Sequence, residues 1–250
     1  MKYSLVLDSG VGGISILKEC VKLLPNEHFL YVADNEHLPY GNKSRKNLNQ
    51  IAYRLILKLV KEYPIKLILI ACNTLTASSI SYLRSKINLP FVGVEPAIKP
   101  AMLFGKGNIL VLSTKATLKY NQNLKKIMQK KPKNIYFLTF SHLAQKIDEN
   151  LKNLDVLEPY LTTLFLPYQN KNIQSVVLGC THYQFIKKQI CVALQNPKLN
   201  FFESSIPVAK RVESVLKEQE LNQSDEVGSI TILCTKKDVL FEQKLKEYLI

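Results

Sequence analysis

Short runs of strand-forming residues alternate with helical patterns along almost the whole of this chain, and that rhythm limits the folds open to it. SLVL precedes a helical stretch carrying Ile16, Leu17 and Val21, HFLYVA precedes one carrying Ile51, Leu55 and Leu59, KLILIA precedes one that runs to about Lys86, and PFVGV precedes another. The rhythm resumes at NILVLS (Asn108 to Ser113), NIYFLTF (Asn134 to Phe140) and SVVLG (Ser175 to Gly179). Strands spaced by helices form parallel sheets covered by those helices, so the pattern predicts an α/β fold. No low-complexity linker separates the two halves.

At 250 residues and 46% hydrophobic, the chain can bury the core of one large or two small domains. Its five cysteines include no C-x-x-C pair, which fits neither a disulfide framework nor a zinc site of the usual spacing. They read as reduced thiols in the cytoplasm, with no metal. The N-terminal MKYSLVLDSG is interrupted by Asp8 and lacks the apolar core of a signal peptide. LILIAC, Leu67 to Cys72, is the best apolar run and far short of a membrane span. A formal charge of +14 suits an anionic substrate or nucleic acid. The densest basic cluster, KKIMQKKPK from Lys125 to Lys133, reads first as the solvated end of a helix and its turn.

Two segments resemble each other, LILIACNTLTA from Leu67 and SVVLGCTHYQF from Ser175. Each is an apolar strand, a small residue, a cysteine, and a threonine within two positions, followed by helical sequence. One cysteine at a strand end packs most often as a small hydrophobe, and Cys20, Cys191 and Cys234 read that way. Two in matched contexts point elsewhere. Ligands of open parallel sheets bind outside the carboxyl ends of the strands, so each half would offer one thiol, Cys72 or Cys180, to a shared cleft. A cysteine that opens a helix is placed to favour thiolate. A general base on one face of a carbon and a general acid on the other invert a stereocentre, which predicts racemisation or epimerisation.

No cofactor signature accompanies the thiols. DSGVGG, Asp8 to Gly13, runs G-x-G-G rather than G-x-G-x-x-G, and reads either as a tight strand-to-helix turn needing permissive backbone angles or as a small-ligand loop with exposed N–H groups. In LPYGNKS, Leu38 to Ser44, Pro39 and Gly41 punctuate a turn and Ser44 can cap the next helix. N–H groups near Gly41 and the Tyr40 hydroxyl could receive a carboxylate. Asn73 and Thr74 after one cysteine, and Thr181 and His182 after the other, could hold further polar groups of a substrate.

DSGVGGISILKE, DNEHLPYGNKS, ACNT, GVEPAIKPA and LGCTHYQFI, in this order and spacing, resemble the bacterial glutamate racemases. The likeness runs through most of the chain and is loosest from Lys119 to about Asn172 and after Lys210. It implies a cofactor-independent enzyme that interconverts L- and D-glutamate for peptidoglycan synthesis. Two similar α/β domains would have the active site between them. Cys72 and Cys180 would be the acid/base pair, with Asp8 and His182 assisting. Ser9, Tyr40, Gly41, Asn73, Thr74, Thr117, Thr181 and His182, with Asp8, would bind substrate.

The same resemblance implies a discontinuous first domain, residues 1–96 plus 207–250, around a second of residues 97–206. GSITILCT (Gly228 to Thr235) then reads as a returning strand and Lys236 to Leu249 as a final helix. A homodimer is implied. Some glutamate racemases inhibit DNA gyrase, which leaves contact with gyrase or nucleic acid open for the basic surface. The chain departs from the family at Leu75 and Thr76, where Ala-Ser is common, and at Tyr183 and Gln184, where Phe-Pro is common. Aspartate and hydantoin racemases share the paired-cysteine plan, so LPYG carries the choice of glutamate.

Overall fold

A computed structural model describes residues 2–221 and 227–249. The chain builds β1 (Tyr3–Asp8), α1 (Ile14–Leu23), β2 (Phe29–Ala33), α2 (Arg45–Glu62), β3 (Ile65–Ile70), α3 (Asn73–Lys86), β4 (Phe91–Gly93) and α4 (Ile98–Phe104). It continues through β5 (Asn108–Thr114), α5 (Lys115–Tyr120), α6 (Gln122–Gln129), β6 (Ile135–Phe140), α7 (Leu143–Glu149), α8 (Glu158–Gln169), β7 (Ile173–Gly179) and α9 (Lys187–Ala193). Last come β8 (Asn200–Phe202), α10 (Ser205–Glu218), β9 (Ile230–Cys234) and α11 (Val239–Leu249).

These elements form an α/β fold of two parallel sheets, as the alternation requires. The first has the order β4-β3-β1-β2-β9 and the second β6-β5-β7-β8. Leu67 to Ala71 are fully buried, because a central parallel strand is covered on both faces and has no solvent side to alternate with. One apolar cluster takes residues from both sheets, from Val6 and Leu69 to Val176 and Leu178, so the sheets share a core.

Topology explains where the cleft falls. β1 has β2 on one side and β3 on the other, and β5 likewise has β6 and β7. The crevice beyond the carboxyl ends at such a reversal is where an open sheet receives ligands. Asp8 and Thr114 end the paired central strands, and Cys72 and Cys180 follow the strands beside them. The final helix begins at Val239 rather than Lys236 because Asp238 accepts a hydrogen bond from the Phe241 N–H (3.0 Å) and acts as its cap.

At the opposite end of the first sheet, Lys66 is the one charged residue within β3. Its side chain is 3% exposed, and Nζ lies 2.9 Å from Glu27 Oε2 and 2.6 Å from the Leu221 carbonyl. The Ser4 hydroxyl donates to the other Glu27 oxygen at 2.7 Å. Removing one partner leaves a buried charge without a counter-charge, so Lys66→Met should cost about 3–5 kcal/mol in urea unfolding. The double variant Glu27→Gln, Lys66→Met should recover part of that loss.

Candidate active site

Asp8 organises the loop after β1. Its carboxylate is fully buried and accepts hydrogen bonds from the N–H groups of Ser9 (2.7 Å) and Gly13 (2.5 Å), while the Thr181 hydroxyl approaches from the second sheet at 3.4 Å. Two N–H groups that a ligand loop would present are thus turned onto Asp8. The glycines answer a different need from the one expected: none of DSGVGG has a left-handed φ. A Cβ at Gly12 would stand 2.5 Å from His182 Nδ1 and Thr181 Oγ1, and one at Gly10 would strike Asp148 and His182. They are small because the 180–182 segment packs onto them.

Burial pushes the Asp8 carboxyl up to about 6, against the pull of His182, of the two N–H groups and of Cys72. Burial likewise raises the Cys72 thiol well above its ordinary value, and the neighbouring Asp8 adds to the shift; the Leu75 N–H opposes it. The helix start behind Cys72 is present as expected, but it loses to desolvation and a neighbouring carboxylate, so Cys72 rests as a thiol.

Cys180 has a different neighbour. His182 Nδ1 lies 3.8 Å from its sulfur, and Nε2 lies 3.1 Å from Asp148 Oδ1, within ion-pair distance though off line for a hydrogen bond. Burial pulls the His182 pKa down, but the Asp148 charge and Cys180 outweigh it and hold the imidazole charged well above its usual range. Asp148, on α7, escaped the sequence reading, since no local pattern ties it to a histidine 34 residues later.

Tyr40 opens a single 3-10 turn, Tyr40–Asn42, and its buried hydroxyl donates to Asp34 Oδ2 at 2.5 Å. The Thr235 hydroxyl (2.7 Å) and His37 Nδ1 (2.9 Å) also reach the Asp34 carboxylate. The Tyr40 hydroxyl is therefore engaged, and the loop's free donors are the N–H groups at the start of the turn. Asp34 is the first residue of DNEHLPYG. Ser44 caps α2 as its sequence suggests, accepting from the Asn47 N–H.

Three hydroxyls meet across the cleft. Thr74 Oγ1 lies 2.8 Å from Thr114 Oγ1 and 3.2 Å from Thr117 Oγ1, and Thr114 and Thr117 are 2.9 Å apart. Thr114, the cap of α5, is the partner the sequence reading left out. The Asn73 amide nitrogen is buried beside Cys72 with no hydrogen-bond partner among the described residues.

Cys72, Cys180, Ser9, Tyr40, Thr74 and His182 line one cavity, together with Gly41, Thr114, Ser141, Tyr183 and apolar neighbours. Asp8, Thr117 and Thr181 stand behind that lining, joined to it by the bonds above. The cavity is about 20 Å³, room for a water molecule. An amino acid fits only if the facing edges of the sheets separate. A larger cavity, about 760 Å³, is a groove between α2 and β9 that touches neither Cys72 nor Cys180.

The departures from the racemase pattern have structural uses. Leu75 is core, and Thr76 Oγ1 donates to the Ile70 carbonyl and accepts from the Val94 N–H, joining β3 to the residue after β4. Tyr183 packs edge-on against Phe140, and Gln184 bonds Ser205.

Residues 7–199 match the family described as Asp/Glu/Hydantoin racemase. A glutamate racemase of Clostridium acetobutylicum is 38% identical over 238 residues, 93% of this chain and 91% of that protein. The Escherichia coli glutamate racemase in complex with L-glutamate and the activator UDP-MurNAc-Ala superposes with a TM-score of 0.85 at 29% identity, covering 99% of this chain and 95% of that one. The Francisella tularensis glutamate racemase with D-glutamate gives 0.81 at 27% identity, over 99% and 93%. Among the described residues no helix is long and apolar enough to cross a membrane.

Asp148→Asn should drop the His182 pKa toward or below the ordinary imidazole value, because burial alone pulls it down; nitrogen NMR of the labelled ring reads this directly. Asp8 gives a second expectation. The folded chain holds its proton between pH about 4 and 6 where the unfolded chain has lost it, so this group's contribution to stability falls as pH rises through that window, by about 3 kcal/mol. Urea unfolding at both ends of the window should show the wild type losing that increment relative to Asp8→Asn.

Proposed function

Because the chain belongs to the Asp/Glu/hydantoin racemase family, we propose that it is a glutamate racemase that inverts the substrate's Cα with two cysteine thiols and supplies D-glutamate for peptidoglycan. One observation carries the mechanism: Cys72 and Cys180, each at the strand reversal of its own sheet, line the same cavity.

The two thiols have different surroundings, which suits opposite roles. Burial and Asp8 keep Cys72 protonated, so it is the acid when L-glutamate is the substrate. Cys180, 3.8 Å from the ring of His182, takes the Cα proton from the opposite face. In the D-to-L direction the roles exchange, Cys72 receiving the proton. The Asp8 carboxylate lies close enough to Cys72 to shape its proton affinity and to attract the substrate ammonium.

The Thr74, Thr114 and Thr117 hydroxyls and the free Asn73 amide are donors for a carboxylate, as are the N–H groups of Tyr40 and Gly41. Ser9, Thr181 and His182 complete the polar wall. Residues 1–96 with 207–250 and residues 97–206 act as two bodies that part to admit glutamate. A cytoplasmic homodimer belongs to the same proposal.

Proton NMR of L-glutamate in D2O tests it. Wild-type protein should replace the Cα proton with deuterium as D-glutamate forms, and Cys72→Ser or Cys180→Ser should each slow conversion about 10²–10⁴-fold, the range of a lost acid or base. Folded wild-type protein that exchanges no Cα proton, or turns over aspartate as fast as glutamate, overturns the glutamate assignment. Near-normal rates in both variants overturn the two-thiol mechanism.

A further inference from the structure

The positive charge of this chain is unevenly distributed. Between Glu95 and Asp148 there is no acidic residue, and the same stretch holds ten lysines, against a formal charge of +14 for the whole chain. Two of the ten, Lys115 and Lys119, stand on α5 at the mouth of the cleft and are exposed.

There they line a second cavity, of about 560 Å³, that shares Gly41 and Ser141 with the catalytic one. Lys43 enters it from the LPYGNKS loop, and no carboxylate is among its walls. Lys22, Lys188 and Lys217 on other surfaces have acidic partners within 3.1 Å, whereas Lys43, Lys115 and Lys119 make no ion pair among the described residues.

Two contacts join the two halves of the chain beside this vestibule. The Arg45 guanidinium sits 4.6 Å above the Tyr120 ring, and the Arg45 backbone N–H donates to the Tyr120 hydroxyl at 3.2 Å; Asn42 and His142 meet at 3.4 Å. Asn42, between β2 and α2, and Arg45, the first residue of α2, are thereby joined to residues following β6 and β5. They are exposed, and so among the weaker contacts between the two sheets.

We propose that this vestibule is an outer anion site that collects glutamate as a dicarboxylate before the cleft opens. The inference rests on the racemase reading for the identity of its ligand. Glutamate carries net charge of about −1 at neutral pH, with two carboxylates against one ammonium. Lys119 also stands 5.5 Å above the Tyr120 ring, but none of the three lysines has an acidic partner among the described residues, and such cations in a concave mouth focus their field on an anion and raise its local concentration. At about 0.1 M salt the field reaches about 10 Å, enough to span the vestibule, and at about 1 M only about 3 Å. The catalytic cavity is too small for the substrate until the edges part, so a site outside it gives glutamate a place to wait.

The test uses glutarate, a dicarboxylate of the same length with no stereocentre to invert. At about 20 mM KCl it should shift the amide resonances of residues 42–43, 115–120 and 142, and about 500 mM KCl should abolish the shifts. The triple variant Lys43→Gln, Lys115→Gln, Lys119→Gln should lose the shifts and raise KM for L-glutamate about three- to tenfold at low salt, with a flatter dependence on added KCl. Lys130→Gln, Lys131→Gln, Lys133→Gln removes equal charge away from the mouth and should keep wild-type KM and salt dependence. Glutarate shifts confined to residues 72–74 and 180–182, or identical behaviour of the two triple variants, overturn the proposal. The titration needs no turnover, so a failure of the racemase reading, seen as absent Cα exchange, is distinct from a failure of the vestibule.

Discussion

A carboxylate with no access to solvent holds the first loop together, and most of the cleft is arranged around it. Asp8 is placed by β1, its oxygens are filled by the N–H groups of Ser9 and Gly13, and the Thr181 hydroxyl reaches it from the other sheet. Such a group is costly to bury, which is why its pKa rises despite those bonds. It is also why the surrounding residues have so little freedom. The loop must wrap the carboxylate, α1 must begin directly after it, and Gly10 and Gly12 must lack side chains so that the 180–182 segment can pack onto the wrap.

Topological likeness and chemical difference are combined in the two halves. Each sheet delivers a cysteine after the strand beside its central one, so the backbone plan is repeated. The residue that meets each thiol is not. Cys72 faces a carboxylate from its own sheet, whereas Cys180 faces an imidazole held charged by Asp148. A symmetric pair of thiols would present the same surroundings to both sides of the cleft. Here an anion stands beside one thiol and a cation beside the other, so the two sides differ in charge.

What was legible in the sequence follows from the range of the interactions involved. Strands such as β3 are readable because burial on both faces leaves a nearly continuous apolar run, and the cysteines because each follows such a run. Asp148 and Thr114 were not readable as site residues, since one acts through a histidine 34 residues away and the other looks like an ordinary helix cap. Gly10 and Gly12 of DSGVGG were visible, but of the two readings open for them the one that needs permissive backbone angles does not hold. A sequence shows that a residue is small, and only the opposing 180–182 segment shows that the reason is contact rather than backbone angle. The Tyr40 hydroxyl is similar: its chemistry was plain, while its engagement by Asp34 depends on the fold of the loop.

The closed cleft also shows what a substrate must compete with. Thr74, Thr114 and Thr117 satisfy one another, each bond contributing about 1 kcal/mol, and Arg45 and Tyr120 hold the rim. Opening gives up these contacts. Among the described residues the Asn73 amide nitrogen, next to Cys72, and the Tyr183 hydroxyl, on a residue that lines the cavity, are buried without hydrogen-bond partners, a cost that water admitted on opening would offset. The cleft is therefore closed by a modest set of polar contacts across its edge rather than by the deep shared core, whose apolar cluster lies behind it. A ligand that brings carboxylate oxygens to the threonines and to Asn73 replaces bonds of the same kind and satisfies a donor the closed form leaves unpaired. Closure around such a ligand is then favoured over closure on an empty cavity.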